Sequence, residues 1–160
     1  MDEAASVTSL EGDDLETWSS LATVLEWLPS ALDAQLTNHA GLTHFEYGIL
    51  YALDSAEGSS LRMSTLAAYA NSSLSRLSRA VSRLERRGWV RRSPDPTDGR
   101  TTLATLTDDG STAVDRATPG HAALVHELVL DRITATQKRQ LRDICGRIQK
   151  AIRSEEGWRA

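Results

Sequence analysis

The fold is decided by residues 75–110, which read SRLSRAVSRLERRGWVRRSPDPTDGRTTLATLTDDG. Up to residue 87 the apolar residues recur at helical spacing, and Gly88 is the type of residue that ends many helices in a left-handed conformation. Residues 89–93 and 101–106 are predicted strands on either side of the turn sequence PDPTDG. A shorter helix is predicted before this one, over residues 64–70. A polar turn at residues 71–73 joins the two helices. This order indicates a helix-turn-helix followed by a hairpin, or wing.

The helix predicted from Ser73 to Arg87 has two faces of opposite chemistry. At about 100° per residue, one arc holds Leu74, Leu77, Val81 and Leu84, and the nearly opposite arc holds Arg76, Arg79, Arg83 and Arg86. The apolar arc is expected to pack on a core. The arginine arc suits a major groove, where guanidinium groups pair with guanine and serine hydroxyls adapt to several bases.

Helices are predicted on both sides of this segment. Capping-box patterns at Asp13/Glu16, Thr43/Glu46 and Thr134/Gln137 predict three helix starts, and Thr107 predicts a fourth. The first helix is expected to kink at Pro29 and to end before Gly41, and the helix after Thr107 is expected to break or bend at Pro119. Residues 60–63 are expected to be extended. The predicted fold class is mainly α with a small β wing.

The charge is unevenly distributed along the chain. The net charge is −4, with 18 Lys and Arg against 22 Asp and Glu, yet residues 1–61 contain no Lys or Arg. Residues 76–100 contain eight arginines against three acids. A solvated basic face that binds nothing is the alternative, but neighbouring arginines repel one another unless a polyanion covers them. The distribution therefore predicts a double-stranded DNA partner.

Several functional classes find no support in the sequence. It contains no nucleotide-binding glycine loop, zinc-hydrolase motif or nucleophile elbow, so an enzyme is not expected, and neither is a cofactor. No run approaches the roughly 18 apolar residues of a membrane span. The acidic N-terminus lacks the features of a secretory signal, and one cysteine cannot form an intrachain disulfide. The expected location is cytoplasmic.

The quoted segment closely resembles the MarR family of bacterial regulators. The resemblance rests on a helix ending RLERRG, a wing containing D-P-x-D-G-R, and L-T-x-x-G at the start of the next helix. It implies a homodimeric winged helix-turn-helix protein on a pseudo-palindromic operator, usually a repressor that a small, often phenolic, ligand releases. A DNA-binding or architectural protein of this fold without an effector is the alternative.

The chain is predicted to divide as follows. Residues 1–12, which show no periodicity, are expected to form a flexible acidic tail, and residues 13–154 are expected to form one domain. Within that domain, residues 43–107 are the DNA-binding core, and residues 13–41 and 108–154 are dimerisation helices. The sequence supports the last point, because the apolar stripes of residues 18–36 and 141–152 are too extensive for so small a core to bury.

Site residues follow from matching positions and from residue chemistry. The DNA contacts implied are Ser73, Ser75, Arg76, Arg79, Arg83, Arg92, Asp98 and Arg100, with Arg100 in the minor groove and Asp98 orienting it. Candidate effector contacts are Trp18, Trp27, Tyr47, Tyr51, Arg116 and His121.

Two other sites have simpler explanations. Cys145 suggests redox sensing, but its place on the apolar stripe of the last helix predicts a buried structural cysteine. Four histidines suggest a metal site, but His121 and His126 are five residues apart, on different helix faces. No metal is expected.

Overall fold

The structure is a computed structural model that describes residues 9–154. Its helices and strands, in chain order, are α1 (Gly12–Ala40), α2 (His44–Asp54), β1 (Ser60–Arg62), α3 (Met63–Tyr69), α4 (Leu74–Arg86), β2 (Val90–Asp95), β3 (Asp98–Leu106), α5 (Asp108–Leu128) and α6 (Ala135–Ser154). Short 3₁₀ turns lie at Glu57–Ser59 and Leu130–Arg132. The mainly helical fold with a small β wing is confirmed.

Helix α1 begins earlier than predicted. Its N-cap is Glu11, whose side chain makes no capping hydrogen bond, so the capping box predicted at Asp13 is wrong. An acidic tail was predicted over residues 1–12. Residues 1–8 of it lie outside the described residues, and Gly12 is helical. The helix continues through Pro29 and ends at Ala40, just before Gly41 as predicted, and this C-cap glycine has a left-handed φ of 62°.

The other predicted caps are confirmed. Thr43 and Glu46 form a reciprocal capping box at the start of α2. The Thr107 hydroxyl accepts the backbone N–H of Gly110, and Thr134 and Gln137 exchange hydrogen bonds at the start of α6. Capping succeeds as a sequence signal because both partners lie within one turn of the chain.

Helix α5 does not break where the sequence predicted. It runs without interruption from Asp108 to Leu128 through Pro119. A proline removes one backbone hydrogen bond, and a long helix tolerates this loss when tertiary packing holds it. Here Gly120 packs closely against the side chain of Gln35, so a Cβ at Gly120 would come within 2.7 Å of the Gln35 amide nitrogen.

The sheet holds the wing against the helical core. Its strand order is β1-β3-β2, and both pairs are antiparallel. Ala104 of β3 is fully buried and lies opposite Leu61 of β1 and Arg92 of β2. A register shift at Pro94/Asp95 marks the tip of the hairpin. The wing is therefore fixed at its base by pairing on both sides of β3.

One apolar core joins α2, α3, α4 and the sheet. Its fully buried large side chains are Leu36, Leu42, Ile49, Leu50, Leu53, Leu66, Leu77, Val81 and Leu84. Helix α1 contributes only its last turns to this core, and α5 contributes Val114 and Ala117. The core therefore fixes the orientation of α4 in the molecule.

The two terminal helices leave apolar side chains uncovered in the single chain. The exposed ones are Leu15, Trp18, Leu21, Val24, Leu25 and Trp27 on α1, and Leu141, Ile144, Ile148 and Ile152 on α6. Cys145 is exposed as well, so the prediction of a buried cysteine is wrong for the isolated chain. The physical reason is that nothing among residues 9–154 packs over this part of α6. None of the described helices is long and apolar enough to span a membrane.

Candidate functional site

Helix α4 separates its buried and exposed faces largely as its sequence predicts. Leu77, Ala80, Val81 and Leu84 are buried. Leu74 is 56% exposed, so its predicted inward position is wrong. The buried arc is centred between Leu77 and Leu84; Leu74 lies at its edge in the first turn, and Ala80 occupies the opposite edge.

The start of α4 presents a cluster of polar side chains to solvent. The Ser73 hydroxyl accepts the backbone N–H of Arg76 at 3.3 Å and lies 3.2 Å from the hydroxyl of Ser75. The guanidinium group of Arg76 stacks over the Phe45 ring, 4.5 Å from its centroid. Arg79 is exposed beside them. Stacking on an aromatic face holds a guanidinium in place while leaving its N–H groups free to bind a ligand.

Arg83 is tied to α2 by an ion pair. Its Nε donates to Glu46 Oε1 at 2.7 Å, and the other carboxylate oxygen of Glu46 accepts the backbone N–H of Thr43 at 3.0 Å. Burial raises the pKa of Glu46, but the Thr43 N–H and Arg83 together outweigh it, so the pKa is lowered from its ordinary value. Glu46 thus stays charged, caps α2 and anchors α4 at once.

Arg92 joins the wing to α4. Its Nε and one terminal nitrogen donate to Glu85 Oε2 at 3.0 and 2.8 Å, and its other contacts are the hydroxyls of Ser78 at 3.3 Å and Ser82 at 3.0 Å. Hydrogen bonds from Arg92 lower the pKa of Glu85. The base of the wing and the exposed side of α4 therefore form one rigid surface.

The tip of the wing is organised by a buried carboxylate. Asp95 is only 6% exposed and accepts hydrogen bonds from Arg62 Nε at 2.7 Å and from the backbone N–H of Thr97 at 2.8 Å. The Thr97 N–H, its hydroxyl and Arg62 hold the pKa of Asp95 well below its usual range. The sequence predicted Asp98 as the residue that orients Arg100. The structure shows Asp98 accepting the backbone N–H of Arg100 at 3.1 Å, with both side chains exposed.

Sequence reasoning missed three of the residues that hold this surface together. These residues are Glu46, Arg62 and Asp95. Glu46 binds Arg83, which is 37 residues away in the chain, and Arg62 binds Asp95, which is 33 residues away. For Asp95 a local signal existed, because an aspartate two residues before a threonine in a turn typically accepts that residue's N–H. For Glu46 the signal was the capping box, which predicts its position but not its pairing with Arg83.

A cavity of about 430 Å³ lies between α2 and α5. Its lining residues are His44, Tyr47, Gly48, Tyr51, Tyr69, Thr118, His121, Ala122, Val125, His126 and Leu130. The His121 ring lies 4.7 Å from that of Tyr47 and 5.7 Å from that of His44, centroid to centroid. Burial and the neighbouring His44 lower the pKa of His121.

Only some of the predicted effector residues meet at this cavity. Tyr47, Tyr51 and His121 line it, whereas Trp18, Trp27 and Arg116 do not. The two histidines expected on different faces, His121 and His126, both line it. Among residues 9–154 no three His, Cys, Asp or Glu side chains come together as metal ligands would.

Comparison with known proteins identifies the same architecture elsewhere. A family model described as "MarR family" matches residues 40–101. The crystal structure of Sco3205, a MarR family transcriptional regulator from Streptomyces coelicolor in complex with DNA, is 39% identical and superposes with a TM-score of 0.87 over 90% of this chain and 94% of that one. The structure of CouR from Rhodococcus jostii RHA1, bound to p-coumaroyl-CoA, is 29% identical, with a TM-score of 0.71 over 85% of this chain and 92% of that one.

A curated relative matches over a shorter stretch. The transcriptional regulator PecS of Dickeya dadantii (strain 3937) is 33% identical over 78 residues, which are 49% of this chain and 46% of PecS. The match to Sco3205 extends over nearly the whole of both chains at substantial identity. The chain therefore belongs to the MarR family of transcriptional regulators.

Proposed function

We propose that this protein is a homodimeric, sequence-specific DNA-binding repressor that a small aromatic or phenolic ligand releases. The observation that carries the proposal is the exposed arginine and serine face of α4, whose opposite face is buried in the core. A helix held in this way can enter a major groove without unfolding any part of the protein.

The proposed contacts divide by position. Arg76 and Arg79, with Ser73 and Ser75, lie in the first half of α4, from which side chains reach base edges. Arg100 and Asp98 lie at the exposed wing tip, where an arginine fits the narrow minor groove of A·T-rich DNA. Arg83 and Arg92 are held by Glu46 and Glu85, and their exposed parts, 47% and 31%, are assigned to phosphates.

The proposed dimer uses the apolar side chains that α1 and α6 leave exposed. Residues 13–41 and 108–154 serve as dimerisation arms, and residues 43–107 serve as the DNA-binding core. A two-fold axis through the arms makes the interface isologous and places the two α4 helices about 34–36 Å apart, one turn of DNA. Obligate dimers of this kind bury more than about 2,000 Å².

The cavity between α2 and α5 supports the ligand response. Its aromatic lining and its volume of about 430 Å³ suit a small planar molecule. That the family member CouR binds an aromatic acyl-CoA supports the same assignment. Tyr47, Tyr51 and His121 are the proposed contacts, and repression rather than activation is part of the proposal.

Selection from a random pool of double-stranded DNA, followed by titration of the selected site, tests this function. We expect an inverted repeat with half-sites one helical turn apart, bound by a dimer in sedimentation, and a panel of aromatic acids is expected to include one that weakens binding. Enrichment of no sequence, or a monomer at micromolar concentration, would refute the proposal. An inverted repeat whose binding no aromatic acid affects would favour the effector-independent alternative.

A further inference from the structure

Among the described residues of α4, Leu74 is the only large apolar side chain left exposed. It is 56% exposed, whereas Leu77, Val81 and Leu84 are fully buried. It is also the first residue of the helix, directly after the N-cap Ser73. Single exposed leucines are common on protein surfaces, but this one lies at the start of the helix that we assign to the major groove.

The first turn of α4 presents different chemistry at its two edges. At about 100° per residue, Leu74 and Arg76 lie on either side of Ser75, about 160° apart around the helix. Arg76 lies on the α2 side, where its guanidinium group stacks on an aromatic ring. Leu74 lies on the side of the wing, because Ser78, about 40° from it around the helix, contacts Arg92 of β2. The turn therefore has a cationic edge toward α2 and an apolar edge toward the wing.

The hydroxyl groups near Leu74 already serve contacts within the protein. Toward the wing, the Oγ atoms of Ser78 and Ser82 accept hydrogen bonds from Arg92 at 3.3 and 3.0 Å. The Ser73 hydroxyl caps the helix by accepting a backbone N–H at 3.3 Å. The group that projects from this edge of the helix start is therefore an apolar one.

We propose that Leu74 is a specificity-determining residue, which reads a thymine in each half-site by packing against the C5-methyl group of that base. This methyl group projects into the major groove, where cytosine presents an amino group and no methyl group. The inference rests on the proposed function and deepens it by naming one base that α4 reads and the residue that reads it.

The contact requires no rearrangement of the protein. Helix α4 is fixed by its buried face, and its first turn is held by the Ser73 cap. Leu74 lies outside the apolar core, so packing against a base takes nothing away from the fold. An apolar side chain that stays exposed in the free protein gains the most when a methyl group covers it.

The expected effect follows from the size of one methyl group. Burial of a methyl group strengthens binding about fourfold, and a dimer that makes the contact twice gains about fifteenfold. Deoxyuridine differs from thymidine only by this methyl group and keeps the same hydrogen-bonding groups. Replacing thymidine by deoxyuridine therefore measures the contact without changing the other base contacts.

The test uses the full chain and the inverted repeat obtained by selection from random DNA. Each thymidine is replaced in turn by deoxyuridine, at the same position in both half-sites, and the Kd is measured by fluorescence anisotropy. We expect one position at which the wild-type protein loses affinity by on the order of tenfold. Leu74→Ala is expected to bind the thymidine site more weakly by a similar factor and to change less than about twofold on deoxyuridine.

Three further variants control for other causes. Leu10→Ala is the matched control, because Leu10 is also an exposed leucine, at 44%, and it precedes α1, outside α4 and the wing. It is expected to keep the full response to deoxyuridine. Leu74→Met keeps an apolar side chain of similar reach and is expected to retain most of the response. If Leu74→Ala does not fold, Leu74→Gln replaces it, and it is expected to lose the response because its end is polar.

The outcomes separate this inference from the proposed function. A selected half-site without thymine, no position at which deoxyuridine weakens wild-type binding, or the same response in the folded Leu74→Ala or Leu74→Gln protein would each overturn the inference. Each of these results leaves sequence-specific DNA binding intact. Enrichment of no sequence in the selection would instead refute the proposed function, and the reading of thymine by Leu74 with it.

Discussion

The hydrogen bonds of Arg92 predict that its loss destabilises the protein more than the loss of its neighbour Arg91. Arg92 donates to Glu85, Ser78 and Ser82, whereas Arg91 is exposed and its side chain contacts none of the described side chains by hydrogen bond or ion pair. The two residues are adjacent on β2 and carry the same charge. Arg92→Ala and Arg91→Ala therefore form a matched pair.

The magnitude follows from burial. Hydrogen bonds to charged groups contribute about 1.5–3 kcal/mol when buried, and exposed ion pairs contribute about 0–1 kcal/mol. The Arg92 and Glu85 side chains are 31% and 35% exposed, which places the pair between these limits. We expect Arg92→Ala to lower the free energy of unfolding by about 1–2 kcal/mol, and Arg91→Ala to change it by less than about 0.5 kcal/mol.

Urea denaturation at neutral pH and fixed protein concentration measures this difference. Thermal unfolding checks it, because each kcal/mol corresponds to a shift of about 2–4 °C in Tm. Because Arg92 lowers the pKa of Glu85 from its ordinary value of 4.5, the extra stability is present above that pH and is lost as the pH falls below it. Equal destabilisation by the two alanine variants would show that Arg92 does not lock the wing to α4. A difference that does not shrink as the pH falls would show that the Glu85 carboxylate contributes nothing to that lock, since the bonds to Ser78 and Ser82 do not depend on pH.

Three further predictions concern α4 and the wing. Arg83→Ala leaves the nearly buried carboxylate of Glu46 without its cation, and we expect it to lower the free energy of unfolding by about 1–3 kcal/mol at neutral pH. In a double-mutant cycle measured by urea denaturation, Arg83→Ala combined with Glu46→Gln should lower it by less than the sum of the two single variants. Because the Glu46 pKa is lowered from 4.5, the cost of Arg83→Ala should disappear in acid; a pH-independent cost would contradict the ion pair. Arg76→Ala is expected to cost about 1–3 kcal/mol of binding free energy on the selected site and far less on random DNA, while Arg100→Ala should weaken binding most on sites with A·T-rich flanks. Fluorescence anisotropy on matched duplexes measures both effects. Equal losses of affinity on every sequence would show that both arginines contact only phosphates. Raising salt from 50 to 200 mM should weaken DNA binding on the order of 10³-fold, and a flat salt response in the same assay would be inconsistent with phosphate contacts.

Much of the fold could be predicted because its signals are local. The capping boxes at Thr43 and Thr134 and the helix end at Gly41 each involve residues within about one turn. The two faces of α4 follow from helical periodicity alone, with Leu74 the exception at the helix start. The continuity of α5 through Pro119 has the opposite origin, because the local cost of a proline is offset by packing along the rest of the helix.

The candidate site could be predicted as a set of residues but not as an arrangement. The sequence placed Arg76, Arg83 and Arg92 in one basic patch but did not show which of them bind carboxylates. Tertiary contacts divided them, since Arg83 and Arg92 bind carboxylates and Arg76 stacks on an aromatic ring. An arginine's role depends on the counter-charge within reach, and that distance is a property of the folded chain.

The sequence by itself determined the helix starts at Thr43, Thr107 and Thr134, the two faces of α4, the hairpin and the basic patch. Each of these depends on interactions across a few residues. Only the tertiary structure decided which arginines are neutralised, that a buried Asp95 holds the wing tip, and that Tyr47 and His121 line one cavity. These features join residues far apart in the chain, by 37 positions for Glu46 and Arg83 and by 71 for Tyr47 and Thr118. Such contacts form only after the core has brought separate helices together, so no periodicity or spacing in the sequence records them.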